Sequence, residues 1–414
     1  MARSKVASNA AFLFIVLFAL LSLRAQDSPQ WRGPKRDGII PSYTGPKTWP
    51  EQLKQKWQVT VGIGHSSPLL AGKNVYAFTR QSELEVVTSL DLDTGKVLWR
   101  DAYGAPYTIN PIAKAHGKGP KSTPALSSGK LFTLGIGEIL SCFDAKTGKV
   151  FWRREFSSAY KATSPEYGTS TSPVVDGKLV IAFIGGRDSG ALTAFDTETG
   201  KTVWQWPGDG PGYASPIIID VAGVRQIVTQ SQKKIIGIKV ADGQLLWEIP
   251  FTTPYIQNII TPILYRDLLI FSGVEQGVMA LRIIQNGREW KTEKVWENKS
   301  VSFYMSDPVV SEGRLFGMSH KNKGSFVTLD ASTGKTLWET AGREGDNAAV
   351  LVGGDKLFLL TSDAVMIVAK AAGVAFEPLR RYTVAKSPVY AHPVISGGNI
   401  LIKDVETLTL WSAE

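Results

Sequence analysis

The stretch D-L-D-T-G-K-V-L-W, from Asp91 to Trp99, decides the fold because the chain repeats it. Close copies run from 144 to 152, from 196 to 204 and from 330 to 338, and a looser copy, K-V-A-D-G-Q-L-L-W, ends at Trp247. In each copy an apolar stretch leads into a polar turn containing Gly, and a second apolar stretch ends at Trp. Asp and Thr side chains bond to nearby backbone and Gly accepts a positive φ, so the phrase predicts a β-hairpin.

A second marker gives the number of repeats. A residue followed by Pro precedes an apolar stretch in seven places: Ser67-Pro68, Thr123-Pro124, Ser172-Pro173, Ser215-Pro216, Thr261-Pro262, Asp307-Pro308 and His392-Pro393. The segment Asp346-Asn347-Ala348-Ala349 fills the remaining place, which makes eight units about 46 residues apart. Four short strands with their turns fill such a period. We therefore predict an all-β, eight-bladed β-propeller of four-stranded antiparallel blades.

The two ends of the chain each supply part of a blade. A strand containing Trp57 lies between Leu53 and Val61 without the strands that should precede it, and three strand-like stretches follow His392 before the chain stops. We expect the N- and C-terminal strands to share the closing blade, since closure pairs edges that would otherwise be exposed. Residues 53–414 are then one propeller. Residues 26–52 are predicted to be an extended N-terminal arm on the domain surface, anchored by Trp31 and Trp49.

Residues 1–25 have the pattern of a secretory signal peptide. Arg3 and Lys5 precede an apolar run from Ala10 to Leu23, and Ala25 offers a small residue for cleavage. The run is shorter than a bilayer-spanning helix, although an uncleaved N-terminal anchor is the alternative. No lipid-attachment cysteine follows it. We therefore predict a periplasmic or secreted protein with no transmembrane span after signal removal.

Composition narrows the chemistry only slightly. The one cysteine, Cys142, lies in an apolar stretch and is expected to be a small buried hydrophobe. The net charge of +9 falls to +6 when residues 1–25 and their three basic side chains are removed. A mild excess of this kind, without a Lys/Arg block, gives no support to nucleic-acid binding. We expect a monomer.

The A-x-D-x-x-T-G-K-x-x-W phrase resembles the repeat of the pyrroloquinoline quinone (PQQ), BamB-like β-propellers of exported bacterial proteins. In that family the Trp of the outer strand packs between adjacent blades. The resemblance implies this structural role for Trp57, Trp99, Trp152, Trp204, Trp247, Trp296 and Trp338.

The same resemblance implies two functions. One is a non-catalytic binding or scaffold protein, with a BamB-like role in envelope protein assembly or in ligand sensing. The alternative is a PQQ-dependent quinoprotein oxidoreductase of the alcohol or sugar dehydrogenase type, with PQQ and calcium bound over the channel. Those dehydrogenases carry adjacent cysteines, which this chain lacks, so we favour the binding protein and expect no catalytic residues and no cofactor. A third possibility is a partner of a membrane enzyme complex that uses residues 26–50 and 102–121 as contact segments.

Candidate ligand-binding residues lie in loops predicted to share one face of the propeller. They combine Tyr and His with basic and amide side chains: His65, Arg80, His116, Tyr167, Arg187, Tyr213, Lys233, Tyr255, Asn258, Tyr304, His320, Asn347, Tyr390 and His392. Such a set suits a small polar or anionic ligand, with basic groups as charge partners. The alternative is that these side chains only plug the mouth of the channel. Because the four His show no ligand spacing, no metal site is predicted.

Overall fold

A computed structural model describes residues 27–159 and 165–414 of the chain. The predicted signal peptide, 1–25, lies outside the described residues. The described chain forms eight four-stranded antiparallel sheets, each a blade, which confirms the predicted eight-bladed propeller.

The first four blades follow one another along the chain, with the innermost strand of each coming first. Blade 1 contains β2 (Leu69–Ala71), β3 (Asn74–Gln81), β4 (Leu84–Asp91) and β5 (Val97–Gly104). Blade 2 contains β6 (Ala125–Ser127), β7 (Lys130–Leu134), β8 (Ile139–Asp144) and β9 (Val150–Glu155). Blade 3 contains β10 (Val174–Asp176), β11 (Leu179–Gly186), β12 (Ser189–Asp196) and β13 (Thr202–Trp206). Blade 4 contains β14 (Ile217–Val221), β15 (Val224–Gln230), β16 (Lys234–Lys239) and β17 (Leu245–Pro250).

The next three blades keep the same strand order. Blade 5 contains β18 (Ile263–Tyr265), β19 (Leu268–Gly273), β20 (Gly277–Asn286) and β21 (Glu289–Asn298). Blade 6 contains β22 (Val309–Ser311), β23 (Arg314–Ser319), β24 (Ser325–Asp330) and β25 (Thr336–Glu339). Blade 7 contains β26 (Ala348–Gly353), β27 (Lys356–Thr361), β28 (Val365–Lys370) and β29 (Pro378–Thr383). Short 3₁₀ helices lie in the loops at Pro111–His116, Ser157–Ala159, Pro254–Ile256 and Lys321–Lys323.

The closing blade is built from both ends of the chain, as predicted. Blade 8 takes β30 (Val394–Ser396), β31 (Asn399–Lys403) and β32 (Thr407–Ser412) from the C-terminal end and β1 (Lys54–Thr60) as its outer strand. Strand β1 pairs antiparallel with β32, from Lys54 opposite Ser412 to Thr60 opposite Thr407. The ring is therefore closed by hydrogen bonds between strands about 350 residues apart in sequence.

The repeated phrase forms the hairpin between the third and outer strands of a blade. In blade 1, Asp91 Oδ1 accepts hydrogen bonds from the Thr94 backbone N–H at 2.9 Å and from the Thr94 hydroxyl at 2.7 Å. The same pair recurs at Asp144 and Thr147, where both bonds are within 2.8 Å. The phrase is therefore a local turn stabilised by its own side chains.

The glycine of each turn packs on the tryptophan of the preceding blade. Gly200 has a φ of +66°, and a Cβ there would lie 2.7 Å from the ring of Trp152, whose indole N–H donates to the Thr197 carbonyl at 3.1 Å. Equivalent donations to the next blade are made by Trp57, Trp99, Trp204 and Trp296. Trp247 differs because its N–H donates to Gln226 within its own blade, and Trp338 packs on Phe376 with ring centroids 5.7 Å apart.

A ring of hydrogen bonds, which we call the pre-proline ring, joins the inner strands around the channel. The backbone N–H groups of Ser67, Thr123 and Ser172 donate to side-chain oxygens of Thr123, Ser172 and Ser215, at distances from 2.9 to 3.1 Å. Thr261 donates to Asp307 at 2.5 Å, and His392 donates to Ser67 across the closing blade at 2.9 Å. These bonds explain why a hydroxyl or carboxylate precedes proline in six of the seven markers, whereas His392 takes part through its backbone N–H.

The hydrophobic core is divided into eight clusters, each lying between two neighbouring blades. Middle strands are buried on both faces and are therefore almost continuously apolar, as in β11, whereas the outer strand β13 alternates between exposed and buried residues. No helix in the two described ranges is both long and apolar enough to cross a bilayer.

Residues 28–40 of the N-terminal arm lie inside the central channel, so the prediction that the arm lies on the surface is wrong for this part. Ser28 pairs with Leu70 of blade 1, the Pro29 carbonyl accepts from Leu126 of blade 2, and Ile40 donates to Val352 of blade 7. These contacts reach inner strands on several sides of the ring. Trp49 packs farther out, in the cluster between blades 7 and 8.

Two arginines fix the arm in the channel. Arg36 donates to the Ser172 and Pro173 carbonyls of blade 3 at 3.0 Å, and Arg32 donates to the Pro308 carbonyl of blade 6. Each arginine is only 3 % exposed. Burial, reinforced by the nearby Arg32, lowers the pKa of Arg36 to about 9, so its guanidinium remains charged at neutral pH. A Pro-, Gly- and Trp-rich segment without periodicity indicates an extended arm on the surface, but here both guanidinium groups donate to backbone carbonyls in the channel.

Candidate functional site: a cavity at the loop face

A cavity of about 180 Å³ opens among the loops that lead from each outer strand to the next inner strand. We call it the loop-face cavity. Its lining residues come from the arm and from seven loops between blades, including members of the pre-proline ring: Trp31, His65, His116, Lys121, Tyr167, Ser170, Tyr213, Ser215, Gln257, Ile259, Thr261, Met305, Asp307, Tyr390 and His392. Its inner end is formed by members of the pre-proline ring together with Trp31.

The inner end combines an indole, an imidazole and hydroxyl groups. The Trp31 and His392 rings lie 4.4 Å apart between centroids, and the Trp31 N–H donates to the Thr261 hydroxyl at 3.3 Å. His392 is buried, and its Nδ1 has no hydrogen-bond partner among the described residues. Burial, together with the charge of Arg32, lowers the pKa of His392 to about 3, so its ring is neutral at physiological pH. The arm therefore closes the channel beneath the cavity.

The walls are a series of aromatic rings that meet edge to face. Tyr390 lies 4.8 Å from His65 and 6.4 Å from His116, measured between ring centroids. Tyr167 lies 6.2 Å from His116 and 5.8 Å from Tyr213 on the other side. Edge-to-face contacts of this kind are favourable and hold the rings in place. The wall is thus a preformed aromatic surface.

The loop at 116–121 is packed onto blade 1. The backbone N–H groups of His65 and Ser66 donate to the Pro120 carbonyl at 2.8 and 3.0 Å, and His65 Nε2 lies 3.0 Å from the His116 carbonyl oxygen. Burial, followed by the charge of Lys121, lowers the pKa of His65 to about 4, and the same two causes lower the pKa of His116. Both imidazoles are therefore predominantly uncharged at neutral pH.

Six of the predicted ligand-binding residues lie together in this cavity: His65, His116, Tyr167, Tyr213, Tyr390 and His392. Tyr304 and His320 form a separate pair with ring centroids 6.2 Å apart, and His320 Nδ1 lies 2.9 Å from the Ser302 carbonyl oxygen. The side-chain amide of Asn347 donates to the carbonyls of Asp346 and Tyr304.

The structure does not bring the other predicted residues to the cavity. Arg80 is buried and bonds to the Ser82 and Ala105 carbonyls and to Glu83. Asn258 is buried, and its side-chain amide donates to three backbone carbonyls. Arg187 pairs with Glu166 and Lys233 with Asp188, both near the rim, while Tyr255 points into solvent.

Sequence reasoning missed Lys121, Gln257, Asp307 and the cavity side of Trp31. Asp307 could have been recognised in the sequence, because it is the one carboxylate at a pre-proline position otherwise occupied mostly by Ser or Thr. In the structure, burial raises the pKa of this carboxyl despite the nearby Arg32. Lys121 belongs to the long loop between β5 and β6, and its approach to the cavity depends on how that loop folds back on blade 1. No local pattern in the sequence encodes that approach.

The cofactor pair implied by the resemblance does not fit these residues. Calcium in proteins takes six to eight oxygen ligands, mostly from carboxylates and carbonyls. Asp307 is the one acidic residue lining the cavity, and the part of the chain that the structure describes contains no cluster of three metal-binding side chains. PQQ is a tricarboxylate, whereas Lys121 is the one Lys or Arg side chain among the lining residues.

Comparison with known proteins gives the family context. The family model described as outer membrane protein assembly factor BamB matches residues 83–295 and 293–402. BamB from Shewanella oneidensis is 24 % identical over 225 residues, 52 % of this chain and 55 % of that protein, so the match spans little more than half of that relative. BamB from Burkholderia pseudomallei is 22 % identical over 352 residues, 75 % of this chain and 86 % of that protein.

Dehydrogenases are also similar to this chain. The dehydrogenase subunit of the quinone alcohol dehydrogenase of Acetobacter aceti is 28 % identical over 301 residues, which cover 66 % of this chain and 39 % of that subunit. Among solved structures, a europium-containing methanol dehydrogenase superposes with a TM-score of 0.70 at 12 % identity, covering 96 % of this chain and all of that one. BamB from Moraxella catarrhalis superposes with a TM-score of 0.60 at 17 % identity, covering 87 % and 99 %. At these identities the superpositions show the shared propeller fold.

Proposed function

Because this chain belongs to the family of outer membrane protein assembly factor BamB, we propose that it is an exported, non-catalytic scaffold that binds other envelope proteins through its loop face. The observation that carries the proposal is the character of that face, where apolar side chains are exposed around a cavity walled by neutral aromatic rings. Ile112 is 57 % exposed and Tyr255 is 77 % exposed, each in a loop that joins two blades. Aromatic and apolar side chains of this kind are favoured at protein–protein contacts.

The two buried imidazoles of the cavity suit binding better than proton transfer. A general base works best when its pKa is near the working pH. The pKa values of His65, about 4, and of His392, about 3, make both rings weak bases at neutral pH. Asp307 is already engaged by the Thr261 N–H. These features favour a rigid binding surface.

A complementation experiment in the native bacterium tests the assembly role. We expect deletion of the gene to lower the amount of folded outer-membrane β-barrels, measured by heat-modifiable gel mobility, and the intact gene to restore it. The Ile112→Ser/Tyr255→Ser variant should restore it poorly. Val374→Ser is the matched control, because Val374 is 90 % exposed in the turn between the third and outer strands of blade 7.

Two results would contradict the scaffold proposal. If deletion leaves the barrel proteins unchanged, the assembly role is wrong, and if the double variant restores them as well as Val374→Ser does, the loop face is not the contact surface.

The quinoprotein alternative rests on the similarity to quinone-dependent dehydrogenases and predicts a rise in melting temperature with PQQ and calcium. A ligand present at 100 times its Kd stabilises a protein by about 2.7 kcal/mol, so such a rise is easily measured. We expect none.

A further inference from the structure

Lys121 is a cation in the cavity wall without a counter-ion. Its Nζ donates to the Tyr167 carbonyl, and in the described ranges no carboxylate lies within ion-pair distance of it. Burial lowers the pKa of Lys121 to about 8, with no opposing effect from an acidic neighbour. Charged groups removed from water are normally paired, so a cation in this position favours an anionic ligand.

The surroundings of Lys121 define the rest of the ligand. The wall beside Lys121 runs from Tyr213 through Tyr167, His116 and Tyr390 to His65, so a group paired with Lys121 would have aromatic rings around its body. Flat rings pack well in such a wall through edge-to-face or offset contacts. A cavity of about 180 Å³ suits a small molecule rather than a folded segment of a protein partner.

The inner end of the cavity offers polar contacts opposite an apolar surface. Trp31 presents its indole beside His392, whose buried Nδ1 lacks a partner in the described part of the chain. A neutral imidazole nitrogen can accept from, or donate to, a hydroxyl group. A polar substituent on the ring of a ligand would therefore satisfy an atom that is otherwise left without a hydrogen bond.

We propose that the loop-face cavity binds a small aromatic carboxylate, with the carboxylate paired to Lys121 and the ring held between His116, Tyr167 and Tyr390. This site is additional to the scaffold function and does not depend on it. The ligand is held by one ion pair and by ring contacts, and its binding requires neither metal nor redox chemistry.

Isothermal titration of the purified mature chain with 4-hydroxybenzoate at pH 7 tests the proposal. We expect saturable binding of 4-hydroxybenzoate, at least tenfold weaker binding of 4-hydroxybenzyl alcohol, which lacks the charge, and no measurable binding of acetate, which lacks the ring. Lys121→Met should weaken binding at least tenfold. Lys114→Met is the matched control, since Lys114 is an exposed lysine of the same loop and does not line the cavity.

A second variant separates the ring contacts from the charge. Tyr390→Leu, at an exposed position, should weaken 4-hydroxybenzoate binding severalfold while leaving the melting temperature unchanged. The proposal is overturned if benzoate, 4-hydroxybenzoate and 2-naphthoate all fail to bind, or if Lys121→Met binds them as the unaltered chain does. Equal binding of acetate and 4-hydroxybenzoate would also overturn it, because the wall would then contribute nothing. The barrel-assembly assay reports on the scaffold role alone, so failure of either proposal can be recognised separately.

Discussion

At the scale of single residues, the contact between turn glycine and tryptophan links one blade to the next. Gly200 and Gly177 both have a positive φ, of +66° and +56°. A methyl group added at Gly200 would collide with the ring of Trp152, whereas one added at Gly177 would meet no atom within 4 Å. Gly200→Ala should therefore lower the free energy of unfolding by ~2–3 kcal/mol, and Gly177→Ala by only ~1 kcal/mol. Urea denaturation of both variants measures the difference. Equal losses would show that the indole contact contributes nothing beyond backbone strain.

A second residue-scale prediction concerns Glu138. Its carboxyl is buried, Oε1 accepts from the Gly185 N–H at 2.6 Å, and burial raises its pKa to about 8. The folded chain holds this proton more tightly than the unfolded chain does, so the associated stability is complete at low pH and is lost as the pH rises toward 8.

Glu138→Gln should remove that pH dependence. The variant should gain stability relative to the unaltered chain as the pH increases from 5 to 8, by up to a few kcal/mol. Melting curves at several pH values measure this gain. Glu155→Gln, at an exposed strand position, is the control and should show no such trend. A constant offset between the two melting curves would contradict the pKa assigned to Glu138.

At the scale of elements, the arm is the part of the fold that sequence patterns did not locate. Arg36→Met removes hydrogen bonds to the Ser172 and Pro173 carbonyls and leaves both acceptors buried, which should cost ~2–4 kcal/mol. Lys35→Met, at the exposed neighbouring position, should cost little. Limited proteolysis should then cut the arm in the Arg36 variant before the propeller unfolds. An arm that resists cleavage equally in both variants would contradict its anchoring by Arg36.

The sequence predicts features that repeat within short stretches of chain, but it does not predict single contacts between residues far apart in the chain. The Asp–Thr turn recurs in four blades and the pre-proline marker in seven places, so both features can be recognised as repeats within a single sequence. Trp31 contacts Thr261 and Arg32 contacts Pro308, more than 200 residues away, and each contact occurs once. His65 and His392 could be placed in the cavity because they occupy repeat positions. His116 and Lys121 share one loop between blades 1 and 2, and the approach of Lys121 to the cavity depends on how that loop folds back on blade 1.

At the scale of the whole molecule, closure of the ring depends on β32. This strand pairs with β31 on one side and with β1 on the other, and its Leu408 and Leu410 lie in the cluster shared by blades 8 and 1. A chain ending at Glu406 should therefore leave two blades with exposed apolar faces and should aggregate or expand. A chain ending at Ala413 is the control and should remain folded. Analytical ultracentrifugation distinguishes these outcomes, and a monomeric, compact chain ending at Glu406 would show that closure is dispensable.

The position of the arm also has a consequence for the order in which the molecule is made. Residues 27–40 are synthesised before any blade. The groups that Trp31 and Arg32 bind, however, immediately precede the first strands of blades 5 and 6. Strand β1 likewise cannot pair until β32, the last strand, has been synthesised. Such contacts between distant parts of the chain form slowly. Some contacts of this segment therefore remain unmade until nearly the whole chain has followed, so the interval before closure is when the protein most needs protection from proteases and from aggregation.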